Sequence, residues 1–86
     1  MTEIENIKKF ILRKLTRKRM WLHKHTSINN LSKGLPDRLR SSGNVKKAIK
    51  ELIKENLLLL KPTNYGLEIS LNIKRKTKIE NIINSP

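Results

Sequence analysis

A basic amphipathic helix that runs without a linker into two short apolar strands fills residues 42–71, and it constrains this fold more than any other feature. In Val45-Lys46-Lys47-Ala48-Ile49-Lys50-Glu51-Leu52-Ile53-Lys54, the apolar Val45, Ile49, Leu52 and Ile53 recur at helical spacing, while Lys46, Lys47, Lys50 and Lys54 fall on another face. The spacing predicts a helix from Asn44 or Val45 to Asn56, with Ser41, Ser42 and Asn44 as candidate caps. Residues 57–61 and 67–71 then read as strands joined by Pro62-Thr63-Asn64-Tyr65-Gly66, a turn-rich link of hairpin length. Leu67, Ile69 and Leu71 alternate with Glu68, Ser70 and Asn72, the period of a strand with one buried face. The leucines at 57–60 do not alternate, so either both faces of that strand are covered or one leucine pair is exposed.

Upstream, Thr2 followed three residues later by Glu5 is a capping box and predicts a helix from residue 3 to about 18. Ile4, Ile7, Ile11 and Leu15, with Phe10 beside them, form its buried stripe. Lys8, Lys9, Arg13, Lys14, Arg17, Lys18 and Arg19 make the rest a positive rod, more cations than the preference for positive charge in a last helical turn explains. Residues 20–25 read as a connector with room for a short strand and with Trp21 as its core anchor. Thr26 or Ser27 can cap a short second helix over 28–33, with Ile28, Leu31 and Leu35 inward and Gly34 and Pro36 closing it. Residues 37–40 read as one further helical turn with Leu39 tucked in. Asn72 can cap a final segment, 73–84, with Ile79, Ile82 and Ile83 on one side and Lys74, Arg75, Lys76 and Lys78 at its start.

At 86 residues there is room for one small core. Leu, Ile, Val and Phe supply 26 of those residues, enough to separate the chain from charged sequences that stay disordered. The formal charge of +13 favours a polyanionic partner, because each lysine or arginine set against a phosphate releases condensed counterions. A lysine-rich proteome is the bland alternative. A membrane surface is less favoured, since Trp21 and Phe10 are the only bulky aromatic anchors available for an apolar helix face. With no cysteine, disulfides, thiolate metal sites and cysteine nucleophiles are excluded. His23 and His25 alone make a poor metal site, because zinc wants four ligands. No Gly-rich phosphate loop and no Ser, His and carboxylate cluster stands out, so neither an enzyme nor a cofactor is expected. No run resembles a signal peptide or a membrane span, and the expected compartment is the cytoplasm, at the nucleoid in a prokaryotic cell.

The order helix, connector, short helix, turn, basic helix, hairpin resembles the winged-helix family of helix-turn-helix domains. The likeness rests on Ile28, Leu31 and Leu35, the break at Gly34 and Pro36, the helix beginning at Lys46, and the Tyr65-Gly66 wing. It extends to Ile53-Lys54-Glu55-Asn56-Leu57-Leu58, similar to a helix-to-strand junction in which Asn56 takes a position often held by glycine. It covers residues 3–72 and leaves 73–86 as a basic helical extension; the longer segment between Gly34 and Ser42 departs from the compact turn of the simplest members. The fold it implies is α+β and mostly α, with three helices, a C-terminal β-hairpin wing and room for an extra C-terminal helix. It also implies that the third helix enters a major groove and that the wing touches backbone or minor groove.

The expected function is sequence-tolerant binding of double-stranded DNA by a small transcription regulator or chromatin-associated factor. The expected contacts are Lys46, Lys47, Lys50 and Lys54 on the third helix, Asn44 and Ser42 at its start, Arg38 and Arg40 before it, and Lys61, Asn64 and Tyr65 on the wing. Lysines in these places imply phosphate contacts more than a base code. The competing reading makes the third helix a solvated face with Lys47–Glu51 and Lys50–Glu55 side-chain pairs. Capping alone explains Asn44, Ser41 and Ser42 and is the favoured role for them, and turn chemistry explains Asn64. Two other function classes stay open: an RNA or ribosome-associated basic protein whose charged faces meet folded RNA by shape, and a protein–protein adaptor using residues 57–60 and the Ile79, Ile82, Ile83 face. Those isoleucines either fold back within a monomer or pair in a homodimer.

Overall fold

The computed structural model describes residues 3–21, 24–31, 33–40 and 42–85, without the side chains of Arg38 and Ser42. Thr2, Ser41 and His23, to which the sequence assigned caps and a candidate metal ligand, lie outside the described residues. Helix α1, Glu3–Arg17, buries Ile7, Ile11, Leu12 and Leu15. Helix α2, Ser42–Lys54, buries Val45, Ala48, Ile49 and Leu52. Both stripes follow from apolar residues three and four apart. Strand β1 is Thr26–Ser27, β2 is Leu58–Thr63 and β3 is Gly66–Leu71; they form an antiparallel sheet in the order β1-β3-β2. Helix α3, Lys76–Asn84, follows the 3-10 turn Ile73–Arg75. The fold is thus α+β, with three α-helices and a three-stranded antiparallel sheet among the described residues.

Asn56 makes the turn from α2 into β2. It sits at φ +62°, where asparagine is tolerated better than most side chains, and Leu57 donates its amide to Leu52 O at 3.0 Å. The hairpin is tighter than the sequence suggests, because pairing continues through Lys61↔Glu68 and Pro62↔Leu67 to Thr63↔Gly66. Only Asn64 and Tyr65 remain as the loop. Thr63 Oγ1 accepts from Tyr65 N at 3.2 Å and donates to Gly66 O at 2.9 Å, and Gly66 takes φ +115°, open to glycine without strain. Pro62 is accommodated because β2 is an edge strand and lacks a second neighbour for its missing N–H.

Two expectations about local structure are corrected. The second helix over 28–33 is replaced by a 3-10 turn at Ile28–Asn30, with another at Asp37–Leu39. Gly34, at φ +89°, and Pro36 divide the segment into pieces too short for an α-helix. Its apolar residues still turn inward, with Leu31, Leu35 and Leu39 buried. The other correction concerns α2, which starts at Ser42, so Ser42 and Asn44 are first-turn residues and not caps; Asn44 Nδ2 donates to Glu3 Oε2 at 3.1 Å. The connector contributes the bridge Trp21↔Leu71, reinforced by Leu71 N donating to Met20 O at 2.7 Å.

One core joins α1, α2, the sheet and α3. Asn72 accepts from Lys74 N at 3.1 Å and so caps the turn before α3. Ile79 is fully buried, and Ile82 and Ile83 pack against the same cluster. Ile79, Ile82 and Ile83 thus pack within the chain, Ile73 stays exposed, and residues 73–85 belong to the same packed body as the rest.

Candidate nucleic-acid interface

The acids of α2 decide the state of its lysines. Glu51 and Glu55 point toward α1, where Lys8 Nζ lies 3.4 Å from Glu51 Oε1 and 3.0 Å from Glu55 Oε1. Burial alone would lower the pKa of this ammonium, but the hydrogen bonds and charges of Glu55 and then Glu51 outweigh it, and the pKa is raised. Lys47–Glu51 and Lys50–Glu55 pairs are not formed. Lys46, Lys47, Lys50 and Lys54 are exposed, and none makes a hydrogen bond or ion pair with another described residue. They form rows at i, i+4 and i, i+3 along a helix about 20 Å long. The first turn of α2 contains no acid, so its positive dipole end adds to the same field.

The positive rod expected on α1 is used differently over Lys8, Lys9, Arg13 and Lys14, whereas Arg17, Lys18 and Arg19 are exposed and their side chains make no hydrogen bond or ion pair with another described residue. Lys14 Nζ donates to Asn30 O at 2.8 Å and Lys33 O at 2.6 Å, holding the end of the first 3-10 segment against the helix. Its pKa is lowered, chiefly by loss of water and then by the charges of Lys18 and Lys33. Lys9 Nζ donates to Ser85 O, and Arg13 Nη2 to Ile83 O at 3.2 Å. These are last-turn carbonyls of α3 and its cap, groups that lack partners within the helix.

A groove of about 570 Å³ runs between α2 and the hairpin. Val45, Ile49 and Ile53 line one wall, Leu60 and Leu67 the other, and Ile28 also contributes; Arg40, Lys46 and Lys50 add positive charge along it. Leu58, Leu60 and Pro62 alternate with Leu59, Lys61 and Thr63 across the pleat. Leu58, Ile69 and Leu71 are buried, but Leu60 and Leu67, farther along the same face, are 42% and 45% exposed. The strand without alternation is therefore only half covered: Leu57 and Leu58 are core, and Leu59 and Leu60 are exposed.

The structure brings Arg40, Lys46 and Lys50 together at the groove and leaves Lys47 and Lys54 on the solvent side of α2. Arg40 Nη1 also lies 3.7 Å from Asp37 Oδ1, an exposed pair. Asn64 and Tyr65 occupy the hairpin tip, where Tyr65 is 94% exposed. Lys61 is exposed on the sheet face opposite Leu60, and Asn44 is held by Glu3. The side chains of Ser42 and Arg38 lie outside the described residues. The groove residues Ile28, Asn29, Ile53, Leu60 and Leu67 were not among the expected contacts. The leucine run at 57–60 was their one sequence signal.

His25 Nδ1 contacts Glu68 Oε1 beside β1, and the described residues hold no group of three or more His, Cys, Asp or Glu placed to bind a metal ion. No described helix is long and apolar enough to cross a membrane. Comparison with family models, curated proteins and solved structures yields no match.

Proposed function

We propose that this chain is a winged-helix protein that binds double-stranded DNA with little sequence preference, α2 acting as the groove helix and the β2–β3 hairpin as the wing. The observation that carries the reading is the diversion of Glu51 and Glu55 to Lys8, which leaves four lysines on the outer face of α2 without an internal counter-charge. The element order and the β1-β3-β2 sheet support the docking mode, because they set a helix and a hairpin tip side by side. A major groove about 12 Å wide admits such a helix. Lysine, a point charge without the planar fork of arginine, favours phosphate contact over base discrimination. Tyr65 at the tip is not required by the turn, which Thr63 and Gly66 close, and is free to meet sugar and phosphate. A small transcription regulator or chromatin-associated factor is the role that fits such binding.

The test is a salt titration of duplex DNA beside double-stranded RNA of equal length. For about five neutralised phosphates, log affinity for DNA falls against log salt with a slope near −4.5. A slope near zero, or tighter binding to the RNA duplex, contradicts the proposal.

A further inference from the structure

DNA accounts for the lysines of α2 but not for the apolar walls beside them. A duplex offers phosphates, sugars and base edges, among which the thymine methyl is the main apolar group. Leu60 and Leu67 continue the face of Leu58, Ile69 and Leu71, yet remain over two-fifths exposed, and with Ile49 and Ile53 they line a space of about 570 Å³. That volume falls within the roughly 300–1,000 Å³ of ligand pockets, and the groove is open along a helix. Every charged side chain lining it is a cation: Arg40, Lys46 and Lys50. A second copy of this chain is a poor occupant, because it also carries +13, and its Glu51, Glu55 and Glu68 already meet Lys8 and His25.

We infer that the groove between α2 and the hairpin receives an acidic amphipathic helix of a partner protein. Its apolar side chains meet Ile49, Ile53, Leu60 and Leu67, and its carboxylates meet Arg40, Lys46 and Lys50. Such helices present apolar anchors at i, i+3 or i+4, and i+7, a stripe suited to a groove flanked by α2. Because Lys46 and Lys50 serve both ligands, the partner and DNA exclude one another. This exclusion rests on the DNA reading above; the groove assignment does not.

The probe is a helical peptide with leucines at i, i+3 and i+7 and glutamates on the flanking faces. One control replaces the glutamates by lysines and another replaces the leucines by serines. Titrated into the isotope-labelled full chain, the probe shifts the amide resonances of Ile49, Ile53, Leu60 and Leu67. It binds about tenfold or more tighter than either control, and it displaces a labelled DNA duplex. Leu60→Ser with Leu67→Ser weakens the peptide by a similar factor and leaves the far-ultraviolet circular dichroism unchanged. Resonance shifts elsewhere, or equal binding of the probe and either control, overturn the assignment, and both readouts use the native chain. Simultaneous binding of peptide and duplex overturns the exclusion. Peptide binding without duplex binding defeats the DNA reading and leaves the groove assignment standing; duplex binding without peptide binding defeats the groove assignment alone.

Discussion

Helices α1 and α2 are both amphipathic and lysine-rich, and they pack against each other, yet they put their cations to different uses. On α1, Lys8 meets two acids of α2, Lys9 and Arg13 meet carbonyls at the end of α3, and Lys14 meets the carbonyls of Asn30 and Lys33; Arg17, in the last turn, is exposed and its side chain makes no hydrogen bond or ion pair with another described residue. On α2, Lys46, Lys47, Lys50 and Lys54 meet nothing within the described chain. The difference is that the first three turns of α1 lie in reach of the carbonyl ends of two other segments, whereas the lysines of α2 border an open groove or face solvent, with no described acid or carbonyl in hydrogen-bond reach. A positive helix is therefore informative about a partner only after its internal obligations have been subtracted.

The largest expected effect comes from reversing charge on the unengaged helix. Lys46→Glu with Lys50→Glu abolishes duplex binding and leaves stability within about 0.5 kcal/mol, since both side chains are exposed. Lys74→Glu with Lys76→Glu, also exposed, makes the same change in net charge and weakens binding less. Gel-shift and thermal-melt measurements check both. Equal losses would make net charge the whole explanation, and a loss confined to the control pair would transfer the contact to the C-terminal segment.

On α1 the response is in stability. Lys8→Met removes both ion pairs to α2 and costs about 1–2 kcal/mol in urea denaturation. The sign of its pH dependence follows from the raised pKa of Lys8. The advantage of the native chain over the variant is complete below the ordinary lysine pKa of about 10.4 and is lost as pH rises through the raised value. Duplex affinity changes by no more than about twofold, the effect of releasing Glu51 and Glu55 to pair weakly along α2. A loss of affinity as large as that of the α2 reversal would erase the distinction between the helices.

A smaller effect is expected at Arg13. Arg13→Ala removes the guanidinium from Ile83 O and costs about 0.3–1 kcal/mol, typical of a cation at a helix C-terminus. The loss is local, so hydrogen exchange quickens in α3 before it does in α2. Faster exchange in α2 alone would contradict the assigned role.

The apolar spacing made α1, α2 and the hairpin legible in the sequence, and Asn56 was legible as their hinge. Leu12 and Ala48, both fully buried, were missed because each lies beside the main stripe of its helix. Strand β1 has only two residues and no alternation, and its extended form depends on pairing with Ile69 and Glu68. The second helix was misread because inward spacing at Ile28, Leu31 and Leu35 is compatible with 3-10 turns as well as with an α-helix. For the site, the lysines of α2 were readable as a face, but their freedom was not. It depends on Glu51 and Glu55 finding Lys8 more than 40 residues away in the chain, a relation that no local spacing encodes. The groove was equally hidden, since only the placement of Leu60 and Leu67 opposite Ile49 and Ile53 creates it.

The most direct test of the division between the helices is the salt dependence of duplex binding by two double-alanine variants measured side by side. Lys46→Ala with Lys50→Ala removes two phosphate contacts and makes the slope of log affinity against log salt shallower by about 1.8. Lys9→Ala with Arg13→Ala, measured below its melting temperature, leaves the slope at the native value. Equal shallowing in the two variants, or a change confined to the α1 pair, would contradict the account.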